Sequence, residues 1–383
     1  MSRRVLIARQ DNLGDVLLAG PAVRAVAASG AHVTMLCGPR GVAAAELLPG
    51  VREVIVWRAD WIDPEPEPIA ESHIDQLVGA VAGRDFAEAL ILTSFHQSPL
   101  PLALLLRVAG VPRIAAISDD YPGSLLDVRD RVDEDLHEVM RGLSLADACG
   151  YGLPAGDDGR LRIERASWLN DRAEAMQPYV VVHPGASVPA RAWAPRRNRE
   201  LVRMLAARGR NVVLTGSAEE RGLTAGICRG ADTERVLDLA GATSLGELVE
   251  VIAAADAIVI GNTGPAHVAA AVGTPTVSIY APTVPAARWH PWCVPFELLN
   301  DEVPCAGCRA RECPVAGHPC VDGVTAERAA DALVRLTERR APLRLLRGEL
   351  PDRGARSGAR RARSRRRGPG RVLGAWPRGE RSA

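Results

Sequence analysis

Apolar runs alternate with amphipathic segments along most of the chain. The runs predict strands at Arg4–Ala8, His32–Cys37, Glu53–Trp57, Ala89–Thr93, Arg113–Ile117, Tyr179–His183, Asn211–Thr215, Arg235–Leu239, Ala257–Ile260 and Thr276–Tyr280. The amphipathic segments predict helices at Val16–Ala28, Gly41–Leu48, Ser72–Ala82, Pro99–Ala109, Val132–Cys149, Arg196–Ala207, Glu219–Cys228, Leu245–Ala255, Pro265–Val272 and Thr325–Glu338. Strands that alternate with helices are typical of a parallel sheet covered on both faces.

The alternation pauses once and then restarts, which predicts two domains. We expect an α/β protein with two facing Rossmann-like domains at 1–165 and 179–340, joined by a linker at 166–178. A cleft between two such domains is a natural binding site.

The last segment, 341–383, has a different character. From Asp352 onward it carries eleven arginines against two acidic residues, and it has no apolar period. This composition predicts a disordered tail. Such a tail could contact anionic lipid headgroups; the alternative, which we favour, is a solvated extension without a role. We expect no nucleic-acid partner.

The most informative stretch runs from Asp256 to Pro282. It predicts a strand, the tight turn Gly261–Pro265, a helix of small residues and a second strand. Open α/β sheets bind ligands at such a loop, and backbone N–H groups at a helix N-terminus suit a phosphate. Thr263 and His267 add a hydroxyl and an imidazole. The alternative is an ordinary strand-to-helix turn.

Asp15 directly follows the first predicted strand, at the carboxyl edge of the first sheet. That position suits an active residue, and the preceding Gly14 permits close approach of a partner. The alternative is that Asp15 caps the helix predicted from Val16, and on local grounds this is the better interpretation.

Two further loops of the second half follow strand ends. One loop, His183–Ser187, is followed by Arg191, whose guanidinium can bind a diphosphate bidentately. The other, Thr215–Glu220, ends in two carboxylates that could accept the hydroxyls of a ribose. Each has a plain structural alternative, namely an incidental arginine or acidic residues at a helix N-terminus.

Composition excludes several other functions. The chain has no lysine, so all 47 basic residues are arginine and a P-loop lysine is impossible. There is also no G-x-G-x-x-G dinucleotide fingerprint. No apolar run approaches the length of a membrane span. The opening MSRRVLIARQDNLGD predicts a strand rather than a signal peptide, so we expect a cytoplasmic protein.

Several segments together resemble glycosyltransferase family 9, the heptosyltransferase-type enzymes of lipopolysaccharide core synthesis. They are ARQDNLGDVLLAGPAVRA, HEVMRGLSLADACG, VVVHPGAS with PARAWAP, VVLTGSAEE, LAGATSLGELVEVIAAADAIVIGNTGPAHVAAAVGTPTVSIYAPT and PCAGCRARECPVAGHPC. The resemblance implies a GT-B fold and an inverting, metal-independent transfer that needs no cofactor. It implies a nucleoside-diphosphate sugar donor, ADP-linked and heptose-like, held by the second domain. The acceptor, a glycan or lipid-linked hydroxyl, would be held by the first domain, with the enzyme peripheral to the inner membrane face.

The resemblance also implies roles for individual residues. Asp15 matches the proposed general base, and Arg191 stands where members usually have a diphosphate-binding lysine. Asn262 departs from the aspartate that members often carry, which puts the exact donor in doubt. The remaining implied donor-binding residues are Ser187, Glu219, Glu220, Thr243, Thr263, Gly264 and His267.

Four cysteines near the C-terminal end, with one histidine among them, could hold a structural zinc ion or an iron–sulfur cluster. They are Cys305, Cys308, Cys313 and Cys320, with His318. Their x4 and x6 spacings fit no common zinc ribbon. Asp133-x-Asp135 superficially resembles a metal–diphosphate motif, but charge at the N-terminus of the helix predicted from Val132 explains it better.

Two alternatives to a transferase stay open at this point. A nucleotide-sugar epimerase shares the architecture but acts on the donor alone. A non-catalytic nucleotide-sugar-binding protein would need no base, so Asp15 is the residue that discriminates.

Overall fold

Two six-stranded sheets, parallel throughout, form the framework of the computed structural model. The first sheet contains β1 (Arg4–Ala8), β2 (His32–Cys37), β3 (Val51–Val56), β4 (Phe86–Ile91), β5 (Ile114–Ile117) and β6 (Val128–Asp130). The second contains β7 (Tyr179–His183), β8 (Asn211–Leu214), β9 (Val236–Asp238), β10 (Ala257–Gly261), β11 (Thr276–Ile279) and β12 (Phe296–Leu299). Their orders are β3-β2-β1-β4-β5-β6 and β12-β11-β10-β7-β8-β9. Each order reverses once, between β1 and β4 and between β7 and β10, and ligands bind at such switch points.

Helices cover both faces of each sheet. In the first half they are α1 (Leu13–Leu18), α2 (Gly20–Ala28), α3 (Val42–Ala45), α4 (Glu71–Val81), α5 (Leu100–Val108) and α6 (Glu138–Ala148). After α7 (Asp171–Glu174) come α8 (Pro195–Ala207), α9 (Arg221–Cys228), α10 (Leu245–Ala253), α11 (Gly264–Val272), α12 (Ala286–Trp289), α13 (Pro319–Asp322) and α14 (Ala326–Glu338). A short 3-10 turn, Pro189–Arg191, precedes α8.

The structure describes residues 2–94, 96–165 and 169–338. Both sheets belong to one compact unit, Met1–Leu343. The predicted boundaries of the two domains and of the 166–178 linker therefore stay predictions, and the predicted disordered tail lies outside the described residues. Within the described ranges no helix is both long and apolar enough to cross a membrane.

The central strands are buried because their sequences are continuously apolar. Val5–Ala8 in β1 and Val180–Val182 in β7 are almost fully inaccessible to solvent. Helices pack on both faces of a parallel sheet, so its inner strands have no polar face. The same rule explains why the inner strands are predictable from sequence.

Two edge strands, β6 and β12, do not appear among the predicted elements. Both are short, and Phe296 of β12 is partly exposed, so neither has the buried apolar run that identifies a strand. The helix predicted from Val132 begins only at Glu138. Asp133 and Asp135 therefore lie in the preceding loop, and their interpretation as charges at a helix N-terminus is wrong.

The first predicted helix is divided into α1 and α2 at Ala19. Pro21 follows at the start of α2, where its missing N–H costs no hydrogen bond. Helix α1 begins at Leu13, with Asn12 as its N-terminal cap position. Asp15 thus lies inside the first turn and makes no capping hydrogen bond, so the interpretation of Asp15 as a helix cap is wrong.

The two halves meet where α1 and α11 begin. A Cβ atom placed on Gly14 would lie 2.7 Å from Cδ2 of His267 and 3.2 Å from the Cα of Gly264. A Cβ on Gly264 would lie 3.0 Å from a methyl group of Leu13. The helix ends approach so closely that a side chain at Gly14 would displace His267, and one at Gly264 would crowd Leu13.

We expect Gly14→Ala to destabilise the protein by about 1–3 kcal/mol, because the added methyl group overpacks this contact. Gly79→Ala is the matched control, since Gly79 lies inside α4 with no atom within 4 Å of the added Cβ. Alanine should stabilise that helix by about 0.5–1 kcal/mol. Urea denaturation of the parent protein and both variants measures these changes. A Gly14→Ala variant as stable as the parent protein would show that the contact tolerates a side chain.

Candidate active site

A cavity of about 260 Å³ lies between the switch points of the two sheets. Its wall consists of Asp11, Asn12, Gly14, Asp15, Ser94, Ser187, Arg191, Asn262, Thr263, Gly264, Ala266, His267, Ser278, Val284, Trp289, Pro291 and Arg309. The loops after β1 and β4 supply one side, and those after β7, β10 and β11, with a later loop, supply the other. Seven of the ten residues predicted for catalysis or donor binding therefore line a single cavity.

Charge is divided across this cavity according to the half that supplies it. The carboxylates of Asp11 and Asp15 belong to the first half, and the guanidinium groups of Arg191 and Arg309 belong to the second. A ligand with an anionic end would therefore orient with that end toward the second half.

Asp15 is held by two donors. Its Oδ1 accepts hydrogen bonds from Nη2 of Arg9 at 3.0 Å and from the indole Nε1 of Trp289 at 3.1 Å. The side chain keeps 18% of its surface exposed. Asp15 is thus oriented by residues of both halves while it still faces the cavity.

Arg9 is buried beneath the cavity and pairs with three carboxylates. Its side chain, 4% exposed, lies 2.8 Å from Asp11, 3.0 Å from Asp15 and 3.0 Å from Glu138. Burial alone would favour the neutral form of Arg9. The three negative charges outweigh burial and raise the pKa of Arg9 above its ordinary value.

Glu138 also pairs across the interface with Arg288 of the second half. Nε of Arg288 donates to Glu138 at 2.9 Å, and a second nitrogen of the same guanidinium donates to the same oxygen. The guanidinium of Arg288 lies over the ring of Trp289, 4.8 Å from its centre. Trp289 in turn donates to Asp15, so the contacts form a closed circuit through both halves.

Asp11 is the second carboxylate of the cavity. Burial raises its pKa to about 6; Arg9 opposes this rise, and the negative charge of Asp15 adds to it. Gln97, from the loop after β4, donates to Asp11. Of the two carboxylates, Asp11 is the more deeply buried, with 7% of its side chain exposed against 18% for Asp15.

His267 lies on α11 beside Gly14. It is 7% exposed, and its Nδ1 has no hydrogen-bond partner among the described residues. Burial lowers its pKa to about 4, although Asp15 acts in the opposite direction. The imidazole is therefore neutral near pH 7 and can act as an uncharged donor or acceptor at the cavity wall.

The second-half loops are cross-linked by polar side chains. Nε of Arg191 donates to the hydroxyl of Thr283 at 3.2 Å. The amide of Asn262 both donates to the carbonyl of Ala281 and accepts from its N–H, each at 3.2 Å. A carboxylate could not donate to that carbonyl, which gives a structural reason for asparagine at this position.

Glu219, Glu220 and Thr243 do not line the cavity. Glu219 is exposed, and Thr243 is half-buried before α10. Glu220 accepts from the N–H of Ser217 at 2.7 Å and lies against Gly185, where a Cβ would be 1.9 Å from its carboxylate. Glu220 is thus next to the loop that carries Ser187, outside the cavity wall.

Comparison with known proteins now decides the family. The model of glycosyltransferase family 9 (heptosyltransferase) matches residues 95–318, more than half of the chain. The chain belongs to glycosyltransferase family 9.

Individual family members match over shorter segments. Lipopolysaccharide heptosyltransferase 1 of Pseudomonas aeruginosa is 34% identical over 188 residues, which is 46% of this chain and 48% of that protein. Lipopolysaccharide heptosyltransferase 2 of Escherichia coli is 38% identical over 113 residues, or 28% of this chain and 32% of that protein. The chain thus spans less than half the length of these curated relatives.

Solved structures extend the likeness to nearly the whole fold. The ADP-heptose lipopolysaccharide heptosyltransferase II of Escherichia coli has a TM-score of 0.66 at 21% identity and covers 88% of this chain and 98% of its own. A family 9 glycosyl transferase from Veillonella parvula has a TM-score of 0.70 at 16% identity, covering 88% and 97%. The predicted GT-B architecture of two Rossmann-like domains is confirmed.

The four cysteines of this family 9 chain line a small hollow beside the cavity. Cys305 and Cys308 are exposed, Cys313 is half-buried and Cys320 is buried, and all four are free thiols. In the described ranges, no three His, Cys, Asp or Glu side chains are placed as a metal-binding group. The structural metal site that these cysteines could form is therefore not preformed in the described residues.

Sequence patterns did not indicate several residues of the site. Arg9 interrupts an apolar run, and a buried arginine requires partners, so it carried a usable signal. Arg288, Trp289 and Arg309 lie in irregular or short segments after β11 and carried none. Asp11 lies within the segment ARQDNLGD, in which only Asp15 was predicted to be a functional residue.

We expect His267 to reduce stability in acid. Its pKa is about 4 in the folded protein and about 6.5 when unfolded, so the unfolded chain binds the proton first as pH falls. This contribution to the free energy of unfolding is complete above pH 6.5 and is lost as the pH falls toward 4. The loss between pH 7 and pH 5 is about 2 kcal/mol.

Urea denaturation at pH 7 and pH 5 measures the effect. His267→Gln should lose less stability between the two pH values than the parent protein. The control is His32→Gln at the start of β2, where the side chain is 28% exposed. Some loss should persist, because burial lowers the pKa of His137 to about 3. An unchanged pH dependence in His267→Gln would contradict the assignment of a neutral buried imidazole.

Proposed function

We propose that this protein transfers a sugar from a nucleoside diphosphate to an acceptor hydroxyl, with inversion and without a catalytic metal. The observation that carries the proposal is the arrangement of one cavity. Asp15 of the first half faces the phosphate-suited loops of the second half across about 260 Å³. The base and the leaving-group site thus come from opposite walls, as a single in-line displacement requires.

Asp15 is the proposed general base. An inverting transfer needs one base on the acceptor side rather than a pair of carboxylates. Arg9 and Trp289 share one oxygen of Asp15 and fix its orientation. A carboxylate so oriented can accept the acceptor's proton as its oxygen attacks the anomeric carbon.

The donor site is proposed at the second-half wall. Arg191 and the N-terminus of α11, at Thr263 and Gly264, would bind the diphosphate, with Ser187 and His267 beside it. Asn262 holds this loop to the segment after β11 through Ala281. For Glu219, Glu220 and Thr243, contact with the ribose and base would require the nucleotide to extend past Gly185.

The acceptor site is proposed next to Asp15, in the first half. A second cavity of about 460 Å³ shares Ser94 with the first and continues past Gln97, Ser118 and Arg141. An enzyme that acted on the donor alone, such as an epimerase, would have no use for it. This second cavity, together with family membership, supports a transferase over an epimerase or a non-catalytic binding protein.

Names of relatives suggest the substrates. Family 9 members matched by this chain are named lipopolysaccharide heptosyltransferases, and a similar solved structure is an Escherichia coli heptosyltransferase with ADP. We propose a heptose-like sugar on ADP and an acceptor in the lipopolysaccharide core. A location at the cytoplasmic face of a membrane belongs to the same proposal.

A structural metal is a separate part of the proposal. The hollow that contains His318 is also lined by four thiols, one of which is buried. Zinc and iron favour this set of donors. The side chains of this hollow would have to rearrange to complete such a site, because they are not grouped for a metal ion in the described residues. It would stabilise the loop and take no part in transfer.

Asp15→Asn should lower turnover by roughly a hundredfold or more, the usual scale for loss of a general base. Asparagine keeps the oxygen that accepts from Arg9 and Trp289, so the orientation should persist while the proton acceptor is lost. The KM for the donor should change little. Steady-state kinetics with a nucleoside-diphosphate sugar measure both values.

The matched control is Asp85→Asn. Asp85 is exposed and has a φ of 51°, a conformation that asparagine also tolerates. It should retain parental turnover. Near-normal turnover in Asp15→Asn would leave this mechanism without its base.

Transfer should survive EDTA, because arginines and backbone amides can stabilise the diphosphate leaving group. Activity is measured before and after dialysis against the chelator, and elemental analysis reports any metal held by the cysteines. Complete loss of transfer that Mg²⁺ restores would contradict the proposed mechanism. Loss of zinc or iron accompanied only by a lower melting temperature would agree with a structural site.

A further inference from the structure

The loop that carries the cysteines docks directly on the proposed donor site. It begins after β12 and pairs with the segment after β11: the N–H of Gly307 donates to Pro282 at 2.7 Å, and that of Arg309 donates to Thr283 at 3.0 Å. We call residues 301–318 the cysteine loop. It is therefore attached by backbone hydrogen bonds to the wall of the cavity.

The same loop also holds the turn that carries Arg191. The N–H of Ala190 donates to the carbonyl of Arg311 at 2.9 Å. A ring nitrogen of His318 lies 3.0 Å from the carbonyl of Ala190. Both backbone groups of Ala190 are thus bound by the cysteine loop, immediately before Arg191.

Arg309 is the residue of this loop that reaches the cavity. Its φ is 54°, in the left-handed region that a non-glycine residue adopts at a cost of roughly 1–2 kcal/mol. Such a conformation persists only where the surroundings impose it. Here the N–H of Arg309 is bound by the carbonyl of Thr283, and Arg309 lines the same cavity as Arg191.

Thr283 joins the two arginines. Its side chain is 3% exposed; its hydroxyl accepts from Nε of Arg191 and its carbonyl accepts from the N–H of Arg309. One buried residue therefore fixes the position of both. The bond at Nε leaves the terminal nitrogens of Arg191 on the side of the guanidinium that a bidentate ligand uses.

We propose that Arg309 is a second diphosphate-binding residue, which the cysteine loop presents beside Arg191 to form a two-arginine clamp. This inference rests on the proposed function, because it assigns a further residue to the same donor site. Two guanidinium groups match the charge of a nucleoside diphosphate and present planar arrays of N–H donors to its oxygens. The chain has no lysine to take this role.

The clamp also gives the cysteine loop a function. Its attachments at Thr283 and Ala190 mean that the order of the loop determines where both guanidinium groups lie. Binding of a diphosphate and ordering of the loop should therefore favour each other.

Arg309→Asn tests the proposal. Asparagine tolerates the left-handed conformation, so the backbone should keep its place while the guanidinium is lost. The control is Arg311→Asn, in the same exposed loop, because Arg311 contributes its backbone carbonyl to Ala190 and its side chain does not line the cavity. Calorimetry with ADP, UDP, GDP and inorganic pyrophosphate gives Kd for each protein.

We expect Arg309→Asn to weaken binding of the nucleoside diphosphate and of pyrophosphate by roughly 10- to 100-fold, the scale of a charge-assisted hydrogen bond. Adenosine or another unphosphorylated nucleoside should bind equally to all three proteins. Thr283→Val, which removes only the hydroxyl below Arg191, should weaken diphosphate binding while the backbone bond to Arg309 remains.

The outcomes separate the two proposals. Equal diphosphate affinity in the parent protein and in Arg309→Asn overturns the clamp and leaves the proposed function standing. If no diphosphate binds the parent protein, the proposed donor site itself is wrong. Weaker binding in Arg311→Asn to the same degree as in Arg309→Asn also overturns the clamp, because the effect would then be a general one of loop charge.

Discussion

A single buried carboxylate, that of Glu138, holds together arginines from both halves of the molecule. Arg9 reaches it from the strand end of the first half and Arg288 from a short helix of the second. Charges removed from water are costly unless they are paired, and loss of one partner leaves the other uncompensated. The two halves are therefore joined by an interaction whose geometry cannot drift without a large energetic penalty.

The position of Asp15 depends on that pairing. Arg9, fixed by Glu138, donates to Asp15; Arg288, fixed by the same carboxylate, lies over Trp289, which donates to the same oxygen. The candidate base is thus oriented by two chains of contacts, and both of them begin at Glu138. Because one of these chains of contacts comes from each half, the orientation of Asp15 also depends on how the two halves are placed relative to each other.

The sequence predicted the inner strands and the loops that follow them, because a buried parallel strand and a glycine-containing turn are local patterns. It could not predict the pairing of Arg9 with Glu138 or of Glu138 with Arg288, which join residues 129 and 150 positions apart. Short edge strands such as β12 were not predicted because they lack a continuous apolar run. Arg309 was not predicted because its place in the cavity depends on a backbone hydrogen bond to Thr283, and no pattern of side chains in the sequence indicates that bond.

The separation of charge across the cavity sets up an electric field. Carboxylates of Asp11 and Asp15 form one wall, and guanidinium groups of Arg191 and Arg309 form the other, so positive potential lies on the side of the second half. A displacement that moves negative charge from the first wall toward the second is therefore favoured by this field. The polarity is fixed before a ligand arrives, because each pair of charges belongs to a different folded half.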